Sequence, residues 1–142
     1  KIPFFGWGLR LTRPIAIDRG NPREAIRQVM IQGKQRLLEG NNVLIFPEGT
    51  RIDVGQVGTY GRSGAALAVA AGAPLVLIAH NAGAYWPARK FIKYPGTVRV
   101  VIHPLLATAG ADSKQLTEDA KNWIEARLRE FDPLAEDLII DK

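Results

Sequence analysis

Short apolar runs alternate with stretches of helical spacing along this chain, and that alternation limits the fold more than any other feature. The runs are PIAID at 14–18, VLIF at 43–46, PLVLIAH at 74–80 and TVRVVIH at 97–103. Each has the length of a strand, and the third is continuous in the way of strands buried on both faces of a sheet. Between the first two, Asn21, Pro22 and Glu24 make a helix start: a cap acceptor, a proline at the first helical position, and a carboxylate placed to reach back to the cap. Ile26, Val29, Met30, Leu37 and Leu38 then recur at helical spacing, and Gly40 supplies the stop. Ser63 opens a helix of small residues over 64–71 that Gly72 ends. A last helix, from about Ser113 to Phe131, gathers Leu116, Ala120, Trp123, Ile124 and Leu128 on one side. Strands alternating with helices predict an α/β fold, a largely parallel sheet flanked by helices, with ligands gathering beyond the carboxyl ends of the strands.

A chain of 142 residues, 46% of them hydrophobic, encloses one core and predicts one domain over 1–142. The net charge of +5 and the isoelectric point near 9.8 suit phosphate-bearing partners, whether nucleic acid, anionic lipid or a small phosphorylated substrate. The absence of cysteine excludes disulfides, thiolate catalysis and cysteine-based zinc sites. The longest uncharged apolar run, Ala65 to Ala79, is shorter than the ~18 to 20 residues of a membrane span and is broken by Gly72 and Pro74. The opening KIPFFGWGLR has neither the apolar length nor the cleavage site of a signal peptide, and its lysine in first place leads us to expect a piece of a longer protein.

The hexamer FPEGTR at 46–51 is chemically denser than a turn requires. Pro47 fixes the exit from the strand, and Gly49 permits a positive dihedral or the close approach of a ligand. Thr50 brings a hydroxyl and Arg51 a planar fork of donors suited to phosphate or carboxylate. Glu48 can orient that arginine or accept from a substrate hydroxyl. The alternative is an ordinary turn with a surface Glu–Arg pair worth about 0 to 1 kcal/mol. Arg19 follows PIAID as Arg51 follows VLIF, so the two arginines are expected to converge above adjacent strand ends.

Elsewhere, AYWPARKFIKYPG at 84–96 interleaves Tyr85, Trp86, Phe91 and Tyr94 with Arg89, Lys90 and Lys93, a mixture that suits a lipid headgroup layer. It also suits single-stranded nucleic acid, or a loop that packs its rings on the core. PFFGWG at 3–8 invites the same readings, of which an acyl-chain or membrane contact is preferred. The run GQVGTYGRSG lacks the lysine of a P-loop, and Gly61-Arg62-Ser63-Gly64 is one residue short of a serine elbow.

FPEGTR resembles the signature of the glycerophospholipid acyltransferases, in particular of the branch that acylates lysophosphatidic acid. IAIDR at 15–19 is similar to the family block that ends in arginine, and APLVLIAH at 73–80 to a later apolar block. The resemblance runs from IPFFGWGLR to HPLL at 103–106. It implies a glycerol-3-phosphate acyltransferase-like fold and transfer of a fatty acyl group, from acyl-CoA or acyl carrier protein, to the free hydroxyl of 1-acylglycerol 3-phosphate. The product would be phosphatidic acid, for phospholipid biosynthesis. Arg19 and Arg51, with Thr50 and the Gly49 backbone, would then bind the acceptor phosphate, and Glu48 would position the acceptor.

The family's catalytic pair is a histidine followed five positions later by an aspartate. Five positions after His80 comes Tyr85, and five after His103 comes Thr108. Both histidines are therefore read as structural, the pair is expected upstream together with a membrane-associating segment, and this N-terminally truncated piece is expected to be inactive alone. In place of the family's phenylalanine-lysine-x-glycine pattern stands YGRS at 60–63, where Arg62 offers the basic charge one position later. No metal or redox cofactor and no nucleic acid partner are expected. An anionic membrane surface is, with Trp86, Phe91, Lys90 and Lys93 as contacts, on the cytoplasmic face of an inner membrane. The rival reading is a noncatalytic module binding lipid headgroups or phosphate, and a third is a nucleic-acid binder.

Overall fold

The computed structural model describes residues 4–18 and 20–131, and the chain packs as two compact units, 1–44 and 45–142. In the first unit, helix α1 (Phe5–Leu11) is closed by Thr12, whose hydroxyl donates to the Leu9 carbonyl at 2.7 Å. Helix α2 (Pro22–Leu38) starts as the sequence predicts: Asn21 Oδ1 accepts from the Glu24 amide at 3.2 Å and proline holds the first turn. The Glu24 carboxylate does not return to the cap. It accepts instead from Arg27 Nε at 3.0 Å. Gly40, at φ +79°, ends the helix, with its own amide bonded to the Leu37 carbonyl and the Asn41 amide to that of Arg36. The apolar stripe is only half covered: Gly33 is buried, while Ile26 and Leu38 remain exposed.

The second unit holds helix α3 (Ser63–Ala71), strand β1 (Ile78–His80), the single-turn helix α4 (Ala82–Tyr85), strand β2 (Val100–Ile102) and helix α5 (Ser113–Phe131). Gly72, at φ +61°, terminates α3, and the Thr108 hydroxyl reaches the Ala73 carbonyl beyond it at 2.9 Å. Asp112 caps α5 by accepting from the Lys114 and Gln115 amides at 2.9 and 2.8 Å. The small side chains of α3 let it lie close to α5, which also packs on β1. Ala65, Leu67, Ala68, Leu77, Ala79, Ala84 and Leu116 form the core.

The sheet corrects the sequence expectation. Among the described residues it is one antiparallel pair, Ile78 opposite Ile102 and His80 opposite Val100, extended by a bridge between Leu75 and Leu106. The largely parallel arrangement is not formed by them. Two physical causes are visible. The segment 14–18 has its backbone satisfied by side chains of α2, with the Asp18 amide donating to Gln28 Oε1 and Gln32 Nε2 to the Ala16 carbonyl, both at 3.3 Å. The segment 43–46 alternates half-buried Val43 and Ile45 with exposed Leu44 and Phe46, as a strand would, without joining a ladder. Nor is 74–80 buried on both faces. Leu77 and Ala79 point into the core while Val76 and Ile78 are exposed, as in an antiparallel strand covered on one side.

Leu67, 2% exposed, is the largest fully buried side chain among the described residues. Leu67→Ala should cost about 2 to 4 kcal/mol in urea unfolding, and Leu38→Ala, at an exposed site, less than about 0.5 kcal/mol.

Candidate functional site

The FPEGTR loop is shaped by hydrogen bonds at both of its ends. The Gly49 amide donates to the Phe46 carbonyl at 3.1 Å, and Gly49 itself sits at φ +67°, a conformation that costs a residue with a β-carbon free energy. Further on, the Gly61 amide donates to the Pro47 carbonyl at 2.7 Å and closes the segment 47–61 into one loop. Gly58 lies across the inside: a β-carbon there would stand 2.8 Å from Ile52 Cγ1 and 3.4 Å from Glu48 Cγ. The loop thus packs on its own side chains.

Within it, Gly49, Thr50 and Arg51 face solvent and Glu48 is half-buried. Arg51 forms no ion pair among the described residues, so its guanidinium fork is available to a ligand. Arg19 lies outside the described residues. Glu48 is set among other titratable groups. Burial raises its carboxyl above the usual range and the charge of Glu125 raises it further, while the influence of Tyr60 and of His80 acts the other way. Tyr60 donates to Glu125 Oε1 at 3.0 Å, and its hydroxyl is held well above the ordinary phenol range by burial and by the Glu125 and Glu48 carboxylates. Lys121 Nζ lies 5.9 Å from the centre of the Tyr60 ring.

Neither Tyr60 nor Glu125 stood out in the sequence as a site residue. The available signal was a polar row at four-residue intervals on the last helix, Thr117, Lys121 and Glu125, beside its apolar face. The histidines take local roles. His80 Nδ1 accepts from the Ala82 amide at 3.3 Å, and His103 Nδ1 meets the Pro104 carbonyl at 2.7 Å with its ring edge-on to Trp123, centroids 5.0 Å apart.

The aromatic and basic loop is also closed at its base. The Tyr94 amide donates to the Tyr85 carbonyl at 2.9 Å, and the Tyr85 ring lies against Gly96, where a β-carbon would collide with it. Lys93 Nζ stands 4.9 Å above the Trp86 ring. Trp86, Phe91 and Ile92 are exposed, Phe91 almost completely at 99%, so these rings do not pack on the core. No Asp or Glu occurs between Asp53 and Asp112. Among the described residues no group of acidic, histidine or cysteine side chains is placed to hold a metal ion, and no helix is long and apolar enough to cross a membrane.

In the first unit, a hollow is lined by Arg10, Arg13 and Arg36 beside Gly6, Leu9 and Pro14. Glu39 already bridges two of these arginines, at 2.8 Å to Arg13 and 3.3 Å to Arg36.

The elevated Glu48 proton affinity has a measurable consequence. A carboxyl that holds its proton more tightly when folded favours folding at low pH and opposes it once pH rises through the folded-state range. Glu48→Gln removes that penalty. The variant should melt above the wild type at neutral pH, and the difference should disappear below about pH 4.

Comparison with known proteins gives consistent results. The family model described as Acyltransferase matches residues 1–81, which include FPEGTR. A 1-acyl-sn-glycerol-3-phosphate acyltransferase of Pseudomonas aeruginosa is 49% identical over 136 residues, 94% of this chain and 53% of that protein. A chloroplastic 1-acyl-sn-glycerol-3-phosphate acyltransferase of Brassica napus is 30% identical over 125 residues, 87% of this chain and 36% of that one. The chain therefore spans about half the length of the bacterial relative, and less of the plant one. The crystal structure of the 1-acyl-sn-glycerophosphate acyltransferase PlsC from Thermotoga maritima superimposes with a TM-score of 0.76 at 23% identity, over 94% of this chain and 53% of that one, which shows a common fold. With its family model matched across more than half of its residues, the chain belongs to the acyltransferase family.

Proposed function

We propose that this chain is the acceptor-binding part of a 1-acyl-sn-glycerol-3-phosphate acyltransferase. The reaction moves a fatty acyl group from acyl-CoA or acyl carrier protein to the free hydroxyl of lysophosphatidic acid and yields phosphatidic acid. One observation carries the reading: Arg51 stands exposed and unpaired among the described residues, beside Thr50 and the left-handed Gly49, on a loop closed by its own backbone. A fork of donors on such a loop suits a phosphate monoester, whose tetrahedral phosphorus offers its terminal oxygens in pairs. Arg19 is assigned to the same phosphate on the family resemblance alone. Glu48 positions the acceptor, and the two units are parts of one acyltransferase domain, a reading supported by a family match that runs from the first unit into the second.

The role given to these residues is binding. The sequence has no histidine followed five positions later by aspartate, so proton abstraction from the acceptor hydroxyl is not assigned to them. A noncatalytic headgroup-binding role is the second reading, favoured by that same absence, and an assay of phosphatidic acid formation by the full-length protein separates the two. Trp86, Phe91, Lys90 and Lys93 form the contact with an anionic bilayer, on the cytoplasmic face of the membrane. The support is their exposure on a loop carrying three cations and no acid.

In the full-length enzyme, Arg51→Ala should raise the KM for lysophosphatidic acid by roughly a hundredfold and leave that for the acyl donor near the wild-type value. An unchanged acceptor KM would remove phosphate binding from this residue. Replacing Lys90 and Lys93 together by glutamine should weaken sedimentation with phosphatidylglycerol vesicles about tenfold or more at low salt, and little with neutral vesicles.

A further inference from the structure

Helix α1 is mostly apolar, yet it buries none of its side chains: Phe5, Trp7, Leu9 and Leu11 are all exposed. Where Gly6, Leu9, Arg10 and Arg13 recur at helical spacing, the chain borders a hollow of about 410 Å³ that Pro14 and Arg36 complete. Three guanidiniums line this space and no carboxylate does.

Glu39 fixes two of them without neutralising the set. Its Oε2 accepts from Arg13 at 2.8 Å and from Arg36 at 3.3 Å, while Gln35 Nε2 holds Oε1 at 3.1 Å. Three positive charges against one negative leave two in excess, and the Arg10 guanidinium has no ion-pair partner among the described residues. Arg36 Nε is buried and lacks an acceptor among them. A buried donor left open is rare in a structure complete by itself. Arg13, at φ +50°, occupies the left-handed place after α1 that glycine ordinarily takes. The favourable position of a cation at a helix end accounts for Arg10 and Arg36 one at a time, in the last turns of α1 and α2. It does not account for their convergence with Arg13 on one hollow.

We propose that Arg10, Arg13 and Arg36 form a binding site for the phosphate group of a lipid, whose apolar chain lies against the exposed side chains of α1. Guanidinium forks match paired phosphate oxygens, and Glu39 keeps two of the forks in place before the ligand arrives. Leu9 and Pro14 give the hollow an apolar wall beside its donors, a mixture that suits an amphiphile better than a bare ion. Free phosphate offers the same oxygens, so the experiment has an arm for each. The inference does not rest on the reading of Arg51, because these residues belong to the first unit and the signature loop to the second.

The test is calorimetry on the purified full-length protein at low ionic strength, with dihexanoylphosphatidylglycerol below its micelle concentration in one arm and inorganic phosphate in the other. Every protein carries Arg51→Ala, Lys90→Gln and Lys93→Gln, so that neither the signature loop nor the aromatic loop contributes. Adding Arg10→Gln and Arg36→Gln should raise the Kd for the lipid about tenfold or more. Gly6→Leu changes no charge. A β-carbon at Gly6 would meet nothing within 4 Å, so the longer side chain has room to enter the hollow, and it should weaken lipid binding as well. Arg23→Gln with Arg27→Gln removes the same charge from the first turns of α2 and should change the Kd less than about twofold. No lipid binding by the reference protein, an unaltered Kd in Gly6→Leu, or an equal loss from the Arg23 and Arg27 pair would overturn the proposal. So would a dependence on these residues in the inorganic phosphate arm alone, which would leave an anion site without a lipid. If the Arg10 and Arg36 pair does not fold, Arg10→Gln decides, since that side chain has no ion pair to lose among the described residues: an unchanged Kd rejects the site.

Discussion

The bond from the Gly61 amide to the Pro47 carbonyl decides how the signature residues are displayed. A stretch from 47 to 61 without regular secondary structure would ordinarily sample many shapes, and a binding residue on it would lose part of its affinity to ordering. Closing the stretch at its ends transfers that cost to folding. Glu48, Gly49, Thr50 and Arg51 then emerge from a fixed base, immediately before the helix whose alanines and Leu67 anchor the second unit. Helix α3 and the loop are in this sense one construction: the helix gives the rigid support and the loop carries the polar chemistry.

Helices α2, α3 and α5 were legible in the sequence because their signals are local, whereas α1 and the single-turn α4 were not expected. Asn21, Pro22 and Gly40 bound α2, Gly72 stops α3, and the apolar spacing of α5 needs no knowledge of its partner. Strand pairing is not local, and there the reading was less complete. The segments 74–80 and 97–103 do hold strands, yet their direction relative to each other is set by how the chain returns between them, which the runs themselves do not encode. The run at 14–18 has the composition of a strand, but Gln28 and Gln32 supply the partners that a neighbouring strand would have given. Those glutamines lie on the polar side of a helix pattern and carry no mark of that use.

The candidate site was legible in a similar measure. FPEGTR can be found in one window, and the residue chemistry of Glu48 to Arg51 marks it as a polar binding loop. Tyr60 and Glu125 were not legible, because their meaning is a contact between distant positions, and a glutamate on an amphipathic helix is normally a solvated one. The fold shared with the Thermotoga structure at 23% identity makes the same distinction on a larger scale: backbone architecture outlasts most of the side chains, whereas a short polar motif remains recognisable.

Gly96 carries a consequence of a different kind. Because an aromatic ring occupies the place where any side chain would begin, a substitution at this position forces Tyr85 to move. The residue is invisible to charge and polarity. Yet a single methyl group there would displace the Tyr85 ring, next to Trp86 in the chain, at the base of the loop that the Tyr94 amide closes, so a surface that reads as tolerant has one position with steric consequences.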